Sequence, residues 1–517
     1  MKLVQEQTPG AAPALDKKVP IGESTNRADD IRHGGAGPGG PSVVRVATRL
    51  LPYLIIALCV WLMFSGRLIS EGVGGTAFVL MLTLILIKVP VAISMIAAAG
   101  LGMWAIEGRE AAWSVLTKVP YESVAQWSFT VLPMYILMGL LLWKSGVTER
   151  LYNAGRTWLN WLPGGLAIGT NVAGTGMASI SGSTIGSTYA LGRIGIPEML
   201  KAGYDRRLAV GSVLVAGLPG HLIPPSIMMV IYAGIAETPV GPQLLSGIVP
   251  GIVVSVMYSL MIVLLSIGRS SKSGRSAAAA TETRVSWSQR FASLKAVWLV
   301  PFLILVVIGG LYTGLFTATE SGAVGALLAL VAMFWIKRGD RPASAAREAI
   351  SGTLQSAGII FFLIIGAYVL SDMLSITGIG AAFTDWVSGL ELGRVEFLLV
   401  MLVAYLVMGT VMDPLSMMVL TIPLLIPTLE ALDISLLWYG VFAVFMGELA
   451  IITPPVGLLL YIVENIGREK EVNLGHSISL KDCMVAQLWF LPVTLVVALI
   501  FIFFPEIATF LPEGMSP

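Results

Sequence analysis

The chain has 517 residues and a formal net charge of +1, with 56% hydrophobic and 12% charged residues and a mean hydropathy of +0.84. A soluble globular chain carries about 25% charged residues, so half the usual charge is missing and long apolar runs take its place. This balance excludes a soluble globular class and a nucleic-acid surface, which needs a basic excess, and it leaves an all-α polytopic membrane protein.

In chain order, residues 1–45 come first. Stretches such as PGAAP at 9–13 and GGAGPGGP at 34–41 cannot bury a core, so a disordered cytoplasmic tail is expected over 1–45. The tail is too long and too polar for a cleavable signal peptide. The apolar run 48–66 is therefore expected to be an uncleaved anchor, within an extra N-terminal transmembrane helix over 46–71. Further windows long enough to span fall near 72–87, 90–106, 129–143, 208–234, 244–267, 297–315, 321–336, 352–373, 436–461 and 485–504, giving about eleven crossings in all. Two more apolar stretches, 164–190 and 395–430, are interrupted at their middles by Gly, Ser, Thr and Pro. These read as re-entrant helical hairpins. Cys59 and Cys483 are too few for a disulfide framework, and no Cys/His spacing suggests a metal centre.

Basic residues set the orientation. With the N-terminus in the cytoplasm, only Arg67, Arg109, Lys118 and Arg394 of the 32 Lys and Arg fall outside, and the other 28 lie inside.

An internal repeat follows from the prolines. Gly220 to Ser226 (GHLIPPS) and Ala450 to Gly457 (AIITPPVG) both place a double proline in the middle of a long apolar span, and Pro224 and Pro454 stand 230 positions apart. The same offset carries Ser183, at the tip of the first hairpin, onto Asp413 in the second, and Pro197 onto Pro427. Orientation puts the entry of the first hairpin in the cytoplasm and that of the second outside, so the halves are expected to be inverted, as in many secondary transporters. The first half is placed at about 120–267 and the second at about 350–504.

Proline has no N–H and denies the preceding turn a helical partner, so two in succession leave several carbonyls unpaired at membrane depth. That is tolerated only where protein, water or an ion satisfies them. Unwound carbonyls with a Ser or Thr hydroxyl suit a hard monovalent cation such as Na⁺. Half-helix N-termini at a hairpin tip suit an anion. Taken alone, a Pro-Pro in a transmembrane helix is a kink and a Ser-rich tip is small-residue packing. Matched copies at one offset favour sites. Ser183, Thr184, His221 and Asp413 are the candidate substrate contacts.

These residues, together with Ile196 to Met199 (IPEM), Gly203 to Asp205 (GYD), Gly247 to Gly251 (GIVPG), Gly309 to Gly314 (GGLYTG), Thr319-Glu320 and Met412 to Pro414 (MDP), resemble the large membrane subunit of tripartite ATP-independent periplasmic (TRAP) transporters. The resemblance covers about 72–512. It implies an elevator-type fold, Na⁺ coupling, a small four-helix membrane subunit, a periplasmic substrate-binding protein and a bacterial inner-membrane location. It also implies import of a small organic anion, a carboxylate. Carried over from the family, one sodium site would use Ser181, Gly220, Ile223 and Pro225, and the other Gly409, Ala450, Thr453 and Val456. Ala178 stands where the family commonly has Ser, and Ala450 where it has Gly.

Among charged residues in apolar segments, Asp413 caps a half-helix or orients the sodium-binding backbone. Glu448, one turn before Thr453, ties down the unwound segment, forms a scaffold salt bridge or is a protonated carboxyl. His221 is a structural histidine, or else a substrate contact or pH sensor. Glu320 is expected to cap a helix starting at Ser321. A stand-alone Na⁺ or H⁺ symporter of related fold is the alternative function. No nucleophile–base pair, metal cluster or phosphate-binding loop suggests an enzyme.

Overall fold

A computed structural model describes residues 43–270, 285–338, 341–453 and 457–514. The first 42 residues of the expected tail therefore lie outside the described residues, as does Val456. Residues 43–45, placed in that tail by the sequence reading, are helical. The chain divides into two units, 1–51 and 52–517, and of the first only 43–51 is described.

Every described element is a helix. The N-terminal group is α1 (Val43–Phe64), α2 (Ser70–Leu86), α3 (Val91–Glu107) and α4 (Arg109–Val124). A first series runs α5 (Val131–Lys144), α6 (Val147–Leu159), α7 (Gly165–Ser181), α8 (Thr184–Lys201), α9 (Arg206–Ala216), α10 (Ile227–Ile235), α11 (Val240–Ser246) and α12 (Ile248–Ser270). Three helices connect the series: α13 (Trp287–Val297), α14 (Leu299–Tyr312) and α15 (Ala318–Ile336). A second series follows with α16 (Pro342–Thr377), α17 (Ile379–Gly389), α18 (Arg394–Met408), α19 (Pro414–Ala431), α20 (Leu436–Ala450), α21 (Leu458–Gly467), α22 (Lys470–Asn473) and α23 (Leu480–Phe503). The last helix is α24 (Glu506–Glu513).

Moved forward by 230 positions, Thr184 falls on Pro414, Arg206 on Leu436 and Val240 on Lys470, each the first residue of its helix. The two series thus share one order of hairpin, helix, break and helix. Their breaks occupy residues 217–226, between α9 and α10, and 451–457, between α20 and α21. The first hairpin is longer than its sequence window, because α8 continues to Lys201 through Pro197. Gly and Ser in the window 164–190 mark its tip rather than its end.

Six helices are long and apolar enough to cross a membrane singly, or seven if the bent pair α13 and α14 counts as one, and five apolar helices of 10–17 residues accompany them among the described residues. The sequence windows are more numerous because 208–234 and 436–461 each divide at a break, and because those at 72–87 and 90–106 hold helices of only 17 residues. Long helices also turn large apolar side chains outward, among them Leu264, Leu305, Leu327, Val331 and Leu354. So much exposed apolar surface needs a lipid surround.

Local signals explain several ends. Asp205 caps α9 by accepting from Arg207 and Leu208 N–H, and Ser435 caps α20. Thr317, not Glu320, is the cap of α15, which starts three residues before Ser321. Glu320 reaches back to Thr317 N–H at 2.8 Å, so the pair is a capping box. Around these helices α5 packs on α15 and α16, and α2 and α3 pack on α16. In the interior α8 packs on α21 and α22, while α19 packs on α10.

Candidate functional site

The first hairpin turns between Ser181 and Thr184. Gly182 sits there at φ +61°, and a Cβ on it would lie 2.3 Å from Ile227 Cδ1, so only glycine lets the tip seat against α10. Ser183 accepts from Gly186 N–H at 3.0 Å and caps α8. Ser181 Oγ accepts from Ser183 N–H at 3.3 Å. The first break lies alongside α7. A Cβ on Gly220 would stand 2.5 Å from Thr175 O and 2.6 Å from Ala178 Cβ. Gly220 is thus packed one turn before Ser181, and Ile223 borders Gly251 of α12. The Pro224–Pro225 bond is cis.

The second tip and second break meet in the same way. Gly409, at the end of α18, touches Ala450, where a Cβ would come within 2.0 Å of Ala450 Cβ. Gly447 borders Pro414. Thr453 Oγ1 donates to Leu449 O at 2.7 Å, and Thr453 N–H donates to Ala450 O at 3.0 Å.

The backbone of the two breaks differs in one respect. Among the described residues the carbonyls of Gly220, Ile223, Pro225 and Gly409 accept no backbone hydrogen bond, whereas Ala450 O is engaged by Thr453. Buried carbonyls without partners are uncommon and costly. A hard monovalent cation is a fitting partner for them, with the hydroxyl oxygens of Ser181 and Thr453 as further neutral donors. Groups of three or more His, Cys, Asp or Glu that could hold a metal are absent among the described residues, and that donor set suits Na⁺ better than a transition metal.

Three buried groups, Thr184, His221 and Glu448, join the halves. Glu448, on α20, is 1% exposed. Thr184 Oγ1 donates to Glu448 Oε2 at 2.6 Å. His221 Nδ1, in the first break, pairs with Glu448 Oε1, and it lies 3.3 Å from Thr184 Oγ1. Ser226 Oγ donates to the His221 carbonyl and accepts from Met229 N–H at 3.2 Å, capping α10. His221 Nε2 is buried with no hydrogen-bond partner among the described residues. Glu448 therefore pairs with the opposite half, not with a scaffold Arg or Lys.

A cavity of about 400 Å³ opens at the first tip. Ser181, Gly182, Ser183, Gly186 and Ser187 line one part of it, and Leu415, from the start of α19, also reaches it. The remaining wall comes from α5, α7, α10 and α16, and includes Ser356. Of the four candidate substrate contacts, Ser183 alone lines this cavity. Thr184 and His221 turn to Glu448. Asp413 is exposed, caps α19 by accepting from Ser416 N–H at 3.0 Å, and does not line the cavity. Sequence reasoning missed Ser356, because one serine in the long apolar α16 carries no motif. Glu448 stands out in the sequence as an intramembrane carboxylate, but its partners, 227 and 264 residues away, leave no local trace.

Helices that cross a membrane, broken at matched places with hairpin tips packed against the breaks, define a membrane transport permease. The family model of the tripartite ATP-independent periplasmic transporter, DctM component, matches residues 78–507, and the chain belongs to that family as a large permease. The C4-dicarboxylate TRAP transporter large permease protein DctM of Pseudomonas aeruginosa is 31% identical over 400 residues, covering 77% of this chain and 89% of that protein. The ectoine TRAP transporter large permease protein TeaC of Halomonas elongata is 27% identical, over 84% of this chain and 97% of its own length. The sialic acid TRAP transporter permease protein SiaT of Haemophilus influenzae is 27% identical, over 78% of this chain and 63% of its own length. Among solved structures, that of the Alcanivorax borkumensis YdaH transporter, described as revealing an unusual topology, matches with a TM-score of 0.55 at 15% identity. It covers 83% of this chain and 98% of that one, a likeness of fold.

Proposed function

We propose that this permease imports a small organic anion, a carboxylate, into the cell by Na⁺ symport. In this reading it lies in the bacterial inner membrane with its N-terminus in the cytoplasm. It works with a small four-helix membrane subunit and a periplasmic substrate-binding protein that delivers the anion. The observation that carries the reading is the contact of each hairpin tip with its own break, Gly220 on α7 and Gly409 on Ala450, beside carbonyls that accept no backbone hydrogen bond. Ser181, Gly220, Ile223 and Pro225 would hold one ion. Gly409, Ala450 and Thr453 would hold the second, with Val456, outside the described residues, completing the family set. Na⁺ bound there would neutralise the carbonyl dipoles and fix each tip to its break, so that substrate and ion move together when the hairpins shift as one body against the scaffold.

The test is uptake by vesicles holding the chain and both partners. Accumulation is expected only under an inward Na⁺ gradient, and equal uptake with choline in place of sodium at unchanged membrane potential overturns the coupling. Vesicles with the chain alone are expected to be silent. Transport by the isolated chain supports a stand-alone symporter instead.

A further inference from the structure

We propose that α13 and the end of α6 form a docking face for the headgroups of anionic phospholipids at the membrane surface. The proposal does not depend on the transport reading above. Trp287, Phe291, Leu294 and the cap residue Trp298 are all exposed, and their spacing of four, three and four residues places them in one stripe along α13. At 3.6 residues per turn, Arg290 falls on one edge of that stripe and Lys295 on the other. The opposite side carries Gln289, Ala292 and Ala296, and neither α13 nor α14 contains an acidic residue. Charged side chains are costly at membrane depth, so α13 is unsuited to hydrocarbon. Nor does it continue the apolar α14, since the two meet at a bend of 52°. An apolar stripe edged by Arg and Lys fits the interface, with the stripe against the acyl chains and the charges among the headgroups.

Tryptophan marks the same level. Trp158 of α6 donates through Nε1 to the Arg290 carbonyl at 3.1 Å. Its ring meets Trp287 and Phe291 edge-on, at centroid separations of 6.5 and 6.1 Å. Trp161, just past α6, is exposed. Trp158, Trp161, Trp287 and Trp298, four of the chain's 13 tryptophans, thus belong to α13 or the end of α6, a grouping typical of the aromatic belts at membrane–water boundaries. Charge commits the face to anionic lipid. The Arg290 guanidinium lies 5.0 Å from the centre of the Trp287 ring, and neither Arg290 nor Lys295 forms an ion pair among the described residues. An arginine held against a ring, with no acid beside it, presents its planar fork to a phosphate. Because α13 packs on α6, and α6 on α7 of the first hairpin, a lipid seated here bears on that hairpin.

The experiment titrates dioleoyl phosphatidylglycerol, dioleoyl phosphatidylcholine or inorganic phosphate into the purified full chain in a neutral detergent and follows thermal unfolding. Each basic residue at an anionic surface is worth about fivefold in affinity. Phosphatidylglycerol is therefore expected to stabilise at concentrations about tenfold or more below phosphatidylcholine, and inorganic phosphate, which has no chains for the stripe, not at all. Arg290→Gln combined with Lys295→Gln should erase most of that preference, whereas Lys118→Gln, an exposed lysine of α4, should leave it intact. If the double variant does not fold, Lys295→Gln alone, at an exposed position, decides by weakening phosphatidylglycerol about fivefold. Phosphatidylcholine matching phosphatidylglycerol, or phosphate stabilising as well as the lipid, overturns the proposal. So does a loss with Lys118→Gln as large as with the double variant, which would make net charge the cause. A double variant that keeps the parent's lipid preference also overturns it, and if that variant no longer co-purifies with the small membrane subunit, the face belongs to that protein.

Discussion

Replacing Glu448 tests whether the two halves are held together at this point. Its carboxylate accepts from Thr184 and pairs with His221, and the His221 and Glu448 side chains are only 6% and 1% exposed. Water therefore cannot take over from a lost partner. Glu448→Ala leaves two buried polar groups stranded, at about 1–3 kcal/mol each, and removing one member of a buried ionisable pair costs about 3–5 kcal/mol. The two routes agree, and a loss of about 3–5 kcal/mol is expected. An apolar pair of similar volume is often tolerated, so His221→Leu combined with Glu448→Leu should recover most of what either change loses alone. Thermal unfolding of the purified variants measures both effects. A cycle of Thr184→Val and Glu448→Gln should give a coupling of about 0.5–3 kcal/mol. If Glu448→Ala stays within about 0.5 kcal/mol of the parent, or the two cycle mutations simply add, the bridge carries no energy and the reasoning fails.

Thr453→Val keeps the shape but removes an oxygen beside the second break. At about 1–3 kcal/mol for a lost polar contact, the apparent Na⁺ affinity of uptake should fall about five- to a hundredfold, whereas Thr117→Val, exposed on α4, should leave it unchanged. Gly409→Ala forces a methyl into Ala450 and is expected to abolish transport, while Gly309→Ala, with open space around its Cβ, should be silent in the same uptake assay. The Arg193–Glu469 pair at 2.6 Å lies on the surface, with side chains 47% and 37% exposed. Glu469→Gln should therefore shift stability by under about 1 kcal/mol, and a large shift in thermal unfolding would show that α8 is held to the second half mainly by charge.

Much of this arrangement could be read from the chain because proline and glycine act locally. The double prolines at 224–225 and 454–455, the tip around Ser183 and the apolar windows mark breaks, turns and helices wherever they occur. The start of α15 is written locally as well, since Thr317 with Glu320 spells a capping box, which begins the helix at Ala318 and not at the expected Ser321. Other features had no such signature. Asp413 reads as a substrate contact by its place in the repeat, yet its carboxylate is occupied by Ser416. Thr184 sits at a tip that suits an anion, but its hydroxyl turns into the interior. Which way a side chain faces at a helix start depends on the neighbour that packs against it, and that neighbour is Glu448, 264 positions on.

The same long-range contacts bear on how the two proposed cation sites would be coupled. The second arm of the first hairpin rests on the helices after the second break, α21 and α22, and the second arm of the other hairpin rests on α10, after the first break. Gly192 of α8 faces Ile466 of α21 so closely that a Cβ would lie 3.1 Å from Ile466 Cδ1. Each tip is thus supported by its own break and each arm by the opposite half. A shift of one hairpin then repacks the other break, because close-packed interiors pass displacement on instead of absorbing it. Glu448 adds a polar link at the same place, joining α20 to the first turn of α8 and to the first break. If the proposed ions bind at the breaks, an ion that steadies either break should steady both tips, and cooperative Na⁺ dependence of uptake is the expected outcome in the vesicle assay.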